Sequence, residues 1–151
     1  MVEPKWLNAH ELAAWEGFLT VGAMLNRRVE QQLKEDAGLS HQQYEVLIRL
    51  SAAPGGELRM TDLAEAALTS KSGLTYQVAQ LEKAGYVSRK SCRSDDRGVV
   101  AGLTAAGWAK VRATAPGHAN LVRHLFRDGM TDKQFAGFAD GLAALMSRLA
   151  E

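Results

Sequence analysis

The chain has 151 residues, 46% of them hydrophobic, and a formal net charge of +1. This length fits one domain that can bury a substantial apolar core. The sequence holds no apolar run long enough to span a membrane, and its start, MVEPKW, lacks an apolar leader, so we expect a soluble, cytoplasmic protein with no membrane partner. Cys92 is the single cysteine, which excludes an internal disulfide framework.

The first predicted helix starts at a capping pair, Asn8 with Glu11, and the second starts at Ser40 with Gln43. Apolar residues in the first helix recur at steps of three and four, which is typical of a stripe that packs on another helix. They include Leu12, Trp15, Leu19 and Val29.

The stretch from Met60 to Thr104 predicts two short helices, a strand, a basic turn and a second strand, the order of a winged helix-turn-helix. In the second of these helices, Leu74, Val78 and Leu81 recur at i, i+4 and i+7 and should face a core. The opposite face suits contact with base edges and phosphates, although an ordinary solvated face would also be polar. It carries Ser72, Thr75, Tyr76, Ala79, Gln80 and Lys83.

A wing is predicted after Gly85, which can end the helix in the left-handed conformation. Residues 86–88 and 99–103 fit two short strands, with a polar turn at 91–98 between them. Asp95 can orient the guanidinium of Arg97 through a charge-assisted hydrogen bond, and an oriented arginine on a loop tip suits the minor groove of DNA. The alternative is a solvated polar hairpin tip.

Positive charge is concentrated in this part of the chain. Residues 69–97 include six basic and three acidic side chains, a local charge of +3, so the rest of the chain sums to −2. Such a local excess matters more for DNA binding than the overall charge. The basic residues are Lys71, Lys83, Arg89, Lys90, Arg93 and Arg97.

The chain ends in two further predicted helices. Pro116 and Gly117 should kink or interrupt the helix that spans 104–127, because proline removes a backbone donor. Such a joint would give an effector a place to act. The last helix begins at Thr131 with Gln134 and carries an apolar seam at alternating steps of three and four. The seam is Phe135, Phe138, Leu142, Leu145 and Leu149.

The sequence therefore predicts a mainly α, winged helix-turn-helix protein with a two-stranded β wing. We expect one domain, 1–151, in which 40–103 bind DNA and the helices of 1–36 and 104–151 join two copies in a homodimer. The alternative is that the same seams pack within one chain. In such a dimer, the two DNA-binding regions would bind half-sites about 10 base pairs apart, in a palindromic operator of double-stranded DNA.

The sequence resembles the MarR family of bacterial and archaeal regulators. The resemblance rests on LSHQQYEVLIRLSAAPGGELRMTDLA, SKSGLTYQVAQLEKAGYVSRK, SDDRGVVAGLT and LTAAGWAKV. It implies a dimer that binds palindromic operators, usually as a repressor, with Asp95 and Arg97 as the wing motif. The implied DNA-contacting residues are Ser70, Lys71, Ser72, Thr75 and Tyr76, joined in the wing by Arg93, Asp95 and Arg97. Tyr76 is a departure, since relatives often carry arginine there.

The resemblance also implies a small aromatic or phenolic effector, bound between the dimer helices and the DNA reader. The candidate lining residues are Trp15, His41, Tyr44, Trp108 and His118. Core packing is the alternative for each of them, because aromatic side chains at helical spacing are usually buried for their area alone.

Other classes of function have less support from the sequence. We find no glycine-rich phosphate loop, nucleophile motif or supported carboxylate pair, so we expect neither an enzyme nor a cofactor. His118 and His124 lie six residues apart and off a common helix face, and no metal site is expected. Cys92 lies in the wing, where a redox role has little basis. A winged helix that binds proteins instead of DNA is the remaining alternative, and only Tyr76 favours it.

Overall fold

The structure, a computed structural model, describes residues 1–67, 70–92 and 95–151, without the side chains of 92 and 95–97. As predicted, the protein is mainly α-helical with a small β wing. The elements are α1 (Ala9–Ala37), α2 (His41–Ala52), β1 (Glu57–Arg59), α3 (Met60–Ala66), α4 (Lys71–Lys83), β2 (Val87–Cys92), β3 (Asp95–Leu103), α5 (Ala105–Val122) and α6 (Asp132–Leu149).

The chain divides into two units, one formed by residues 28–118 and the other by residues 1–27 and 119–151. The first unit holds an antiparallel sheet in the order β1-β3-β2. In its register, Leu58 of β1 and Arg89 of β2 both pair with Ala101 of β3. The two wing strands were predicted, but the third strand, β1, was not. The predicted turn at 91–98 is too long, because β2 runs to Cys92 and β3 begins at Asp95.

The core of this unit lies beneath the helix-turn-helix. The three apolar residues predicted to face inward from α4 are buried, and Ala101 of the central strand is fully buried as well. Burying aliphatic side chains is the main force that fixes α4 on the rest of the unit. Other large buried side chains of the core include Leu33, Leu47, Leu50, Leu63 and Val87.

All three predicted capping pairs form. The side chain of Ser40 accepts from the backbone N–H of Gln43, and the side chain of Gln43 accepts from the backbone N–H of Ser40. Thr131 and Gln134 make the same reciprocal pair at the start of α6. Asn8 and Glu11 do so at the start of α1. Each pair satisfies two backbone donors that the first helical turn would leave unbonded.

Of the two effects predicted at Pro116, the interruption is wrong, because α5 is helical from Ala105 to Val122, and the kink stays a prediction. Proline removes one hydrogen bond to the carbonyl of Arg112, but both residues are exposed, so water can bind that carbonyl. The irregularity comes later, in a π-helical turn at Arg123–Arg127, where the N–H of Asp128 donates to the carbonyl of Arg123 at 2.8 Å.

The unit formed by 1–27 and 119–151 leaves much of its apolar surface exposed. An apolar groove of ≈ 680 Å³ lies between α1, the π-helical turn and α6. Leu145 is 52% exposed and Leu149 83% exposed. Phe126 packs beside the rings of Phe135 and Phe138, at centroid distances of 6.1 and 5.7 Å. None of the helices among the described residues is long and apolar enough to cross a membrane.

Candidate nucleic-acid interface

Both ends of α4 are fixed by local hydrogen bonds. Ser70 caps the start, where its hydroxyl oxygen accepts from the N–H of Gly73 at 3.1 Å. Gly85 ends the helix with a φ of 88°, as predicted. The N–H of Tyr86 donates to the carbonyl of Leu81 at 3.0 Å, closing the turn. These hydrogen bonds therefore fix the positions at which α4 begins and ends.

The two faces of α4 have opposite surroundings. Leu74, Val78 and Leu81 are each at most 1% exposed, whereas Tyr76 is 62% exposed. The other DNA-facing residues predicted on this helix also lie at the surface, and they are Ser70, Lys71, Ser72 and Thr75. The structure thus brings these five together on one exposed stretch, and their contact with DNA stays a prediction.

Several hydroxyl groups on this surface are already used within the helix. Thr75 Oγ1 donates to the carbonyl of Lys71 at 2.8 Å. The Oγ atoms of Ser70 and Ser72 lie 3.4 Å apart and share one hydrogen bond. The exposed face of α4 therefore offers fewer free hydroxyl donors than its sequence indicates.

A cleft of ≈ 320 Å³ lies beside α4 and collects basic side chains that the sequence analysis did not assign to the site. Arg59 enters it from the end of β1, and Arg89 enters it from β2. Both bring a positive charge that suits a phosphate group, and in Arg89 the Nε and Nη2 donors are hydrogen-bonded to Glu82. The remaining lining residues are Met60, Thr61, Thr75, Gly98 and Val99.

Two ion pairs hold β2. Glu82, near the end of α4, accepts from Arg89 through the backbone N–H at 3.1 Å and through Nη2 at 3.0 Å. These hydrogen bonds from Arg89 lower the pKa of Glu82. Across the sheet, Lys90 Nζ lies 2.7 Å from Glu57 Oε1. A Cβ atom at Gly102 would lie only 3.0 Å from Glu57 Cγ, so glycine gives that side chain its path across β3.

Other predicted wing contacts fall outside the described residues. They are Arg93 and the side chains of Asp95 and Arg97, and the side chain of Cys92, which was considered only for a redox role, is not described either. The predicted hydrogen bond between Asp95 and Arg97, and the direction in which Arg97 points, therefore stay predictions.

Three of the five effector candidates come together. The ring centroid of His118 on α5 lies 4.6 Å from that of Tyr44 and 6.4 Å from that of His41, both on α2. Burial lowers the pKa of His118, and the neighbouring His41 lowers it further. Burial also raises the pKa of the Tyr44 hydroxyl. His118 Nδ1 is buried and makes no hydrogen bond to any described residue.

The other two candidates lie elsewhere. Trp108 packs its indole against Gly56, where a Cβ atom would come within 2.6 Å of the ring. Trp15 belongs to the other unit and stacks on Phe18 at a centroid distance of 6.3 Å. In the part of the chain that the structure describes, no group of three or more metal-ligating side chains is arranged to hold an ion.

Comparisons with known proteins agree with this architecture. A family model described as the MarR family matches residues 37–98. The chain is 29% identical over 112 residues to the HTH-type transcriptional repressor YetL of Bacillus subtilis (strain 168). That alignment covers 74% of this chain and 66% of YetL, so the chain spans about two thirds of that repressor's length.

Solved structures give a broader match. The chain is 38% identical to Sco3205 of Streptomyces coelicolor, a MarR family transcriptional regulator solved in complex with DNA. The TM-score is 0.94, and the match covers 99% of this chain and 93% of that one. It is 35% identical to AbsC, a MarR family regulator from the same organism, with a TM-score of 0.91 and coverage of 97% and 99%.

Proposed function

Because this chain belongs to the MarR family of transcriptional regulators, we propose that it acts as a homodimeric repressor, which occupies a palindromic operator until a small effector releases it. The observation that carries the proposal is the pairing of faces on α4, buried leucines and valine behind and an exposed DNA-facing row in front. Sco3205, whose structure matches over 99% of this chain, is bound to DNA in its crystal.

In the proposed complex, α4 enters the major groove and the wing reaches the flanking minor groove. Lys71 and the cleft beside α4, with Arg59 and Arg89, contact phosphates and fix the register of the helix. Arg97, with Asp95 beside it and Arg93 nearby, contacts the minor groove, where narrow A·T-rich stretches concentrate negative potential.

The partner copy covers the apolar surface of the terminal segments. The groove of the unit formed by 1–27 and 119–151 is lined by Phe18, Leu25 and Phe138 among others, and it would be costly to leave in water. The seam residues of α6, from Phe135 to Leu149, together with Leu12 and Leu19 of α1, form the proposed dimer contact. A two-fold dimer would place two α4 helices at half-sites about 10 base pairs apart.

The effector is proposed to bind against His41, Tyr44 and His118 in the 28–118 unit. The aromatic rings there would suit a small aromatic or phenolic molecule. Such a molecule could hydrogen bond to the buried Nδ1 of His118, which makes no hydrogen bond to any described residue. Salicylate is a suitable first probe. Its addition should weaken operator binding by the parent and should affect a His118→Phe variant less.

The second candidate function is a winged helix that binds a protein and no specific DNA, and the exposed ring of Tyr76 is the feature that favours it. Fluorescence anisotropy separates the two. We expect the protein to select a duplex from a randomised library and to bind it with an affinity that falls steeply with salt. Absence of any salt-sensitive, sequence-dependent binding at low ionic strength would favour the interaction module.

The dimer is tested by analytical ultracentrifugation. Leu145→Asp places a charge in the proposed contact and should give monomers at micromolar concentration, with loss of operator binding. Lys133→Asp is the matched control, because that residue is exposed on α6 at a position away from the seam. A monomeric parent protein, or a dimeric Leu145→Asp variant, would contradict the proposed assembly.

A further inference from the structure

We infer that the centre of the exposed face of α4 recognises the 5-methyl group of thymine, through Thr75, Tyr76 and Ala79. The inference rests on the proposed function and adds which chemical group of the operator this surface selects. It predicts that each half-site carries thymines opposite the middle of α4.

Thr75 offers a methyl group instead of a hydroxyl donor. Its Oγ1 donates to the carbonyl of Lys71 at 2.8 Å, so the hydroxyl proton is used within the helix. The residue is exposed, so its Cγ2 methyl is available for contact beyond its own helix, while Oγ1 can there only accept a hydrogen bond. Threonine methyl groups are among the side-chain groups that contact the thymine methyl in the major groove.

Tyr76 and Ala79 extend this apolar surface. Tyr76 is 62% exposed, and Ala79 lies one turn after Thr75 on the same side of the helix. A tyrosine ring that enters the major groove loses its contacts with water. Its apolar surface stabilises the complex only where it meets another apolar group. The thymine methyl is the one apolar group that base edges present there.

Several of the donors that commonly read other bases are missing from α4 or are engaged, and Lys71 and Gln80 are the donors that remain on this side of the helix. Its sequence, KSGLTYQVAQLEK, holds no arginine, the commonest partner of guanine, and no asparagine, one of the two amide residues that pair with adenine. Gln77 Nε2 donates to Gln42 Oε1 at 2.8 Å. Ser72 shares a hydrogen bond with the Oγ atom of Ser70. Apolar contact is thus the contribution that Thr75 and Tyr76 add to the base contacts open to Lys71 and Gln80.

The experiment replaces thymine by uracil, which removes the methyl group and keeps every hydrogen-bonding group. A duplex is first obtained by in vitro selection from a randomised library, and its protected bases are mapped by footprinting. Uracil is then placed at single protected positions. We expect affinity to fall about fourfold for each contacted methyl, the gain expected from burying one carbon. Uracil outside the footprint should leave affinity unchanged.

Paired variants connect the effect to named atoms. Thr75→Val keeps the methyl group and removes the hydroxyl, and it should retain the preference for thymine over uracil. Thr75→Ser keeps the hydroxyl and removes the methyl, and it should lose the preference at one position. Tyr76→Phe keeps the ring and should retain the preference for thymine over uracil, whereas Tyr76→Ala should lose the preference at a neighbouring position. Both residues are exposed in the parent, so folding is not at issue.

The outcomes separate the two proposals. Failure to select any duplex would overturn both the DNA-binding function and this inference. Selection of a duplex whose affinity is unchanged by uracil at every protected position would overturn the inference alone. A uracil effect that persists in Thr75→Ser and in Tyr76→Ala would overturn the assignment to these residues.

Discussion

The junction between the end of α4 and the start of α5 gives the sharpest prediction of stability. Gly107 lies in the first turn of α5, and a Cβ atom there would stand 2.1 Å from the carbonyl oxygen of Tyr86. The obstacle is backbone, so no side-chain rotation can relieve it. An ordinary contact between carbon and oxygen is about 3.4 Å. Gly107→Ala must therefore separate α5 from the 85–86 turn by more than about 1 Å.

That separation breaks the hydrogen bonds that hold the junction. The N–H of Thr104 donates to the carbonyl of Tyr86 at 3.1 Å, and the hydroxyl of Thr104 donates to the carbonyl of Gly85 at 2.6 Å. Each such bond contributes about 1 kcal/mol to stability. Overpacking of a tight site costs a further 1–3 kcal/mol, roughly. We expect Gly107→Ala to lower the free energy of unfolding by about 3–5 kcal/mol.

Thermal and denaturant unfolding measure this change. The midpoint temperature should fall by roughly 10 °C for a chain of this size. Parent and variant are compared at equal protein concentration, because the stability of a dimer depends on it. Gly137→Ala is the matched control, since Gly137 is helical and a Cβ atom there meets nothing within 4 Å. It should stabilise the protein by about 0.5–1 kcal/mol.

A Gly107→Ala variant within about 1 kcal/mol of the parent would refute the reasoning. It would mean that the junction can open without cost and that the three hydrogen bonds around Thr104, including the one that its hydroxyl accepts from Gly107, do not constrain it.

Three further predictions concern titration and DNA binding. Arg89 lowers the pKa of Glu82, so the ionised Glu82 stabilises the fold above the ordinary glutamate pKa of about 4.3, and this stabilisation is lost as the pH falls below it. The stability of Glu82→Gln should therefore depend less on pH in that acidic range. Burial lowers the pKa of His118, so the parent should lose stability from about pH 7 to pH 5 and His118→Phe should lose less; equal slopes for the two proteins would contradict this. Arg97→Ala should weaken all duplexes by a comparable factor and reduce the salt slope by about 0.9 for each phosphate that the variant no longer neutralises, and an unchanged slope would count against a charge contact.

The elements that the sequence predicted correctly are those with local signals. The caps at Asn8, Ser40 and Thr131 lie within three residues of their partners, and the buried row of α4 follows a helical period. Such patterns are read along the chain without knowledge of tertiary contacts.

The missed elements depend on distant partners. β1 has three residues and one apolar side chain, Leu58, so it is too short for a strand pattern, and its pairing with Ala101 is visible only in the fold. β2 was predicted too short, because its charged residues do not form a strand pattern in the sequence. It is an edge strand beside β3, and an edge strand tolerates lysine and arginine. Pro116 was overinterpreted, since its exposure lets water replace the lost bond.

The candidate site likewise has one part that could be predicted from local sequence and another that depends on residues distant in the chain. The exposed face of α4 was predictable, whereas the cleft that joins Arg59 of β1 to Arg89 of β2 forms only when the sheet closes. The involvement of the Thr75 hydroxyl with Lys71 could not be read from residue type, because threonine offers a hydroxyl and a methyl and the backbone decides which remains.

The separation of α4 into a packed side and a free side has a consequence for evolution. Thr75, Tyr76 and Ala79 lie outside the buried core, so a mutation at any of them leaves the scaffold close to its original stability. If these three residues select the operator as proposed, changes at their codons after gene duplication would direct one copy to new promoters while its sister kept the old ones. New regulatory circuits are thus accessible from this sequence by few steps, each through a folded intermediate.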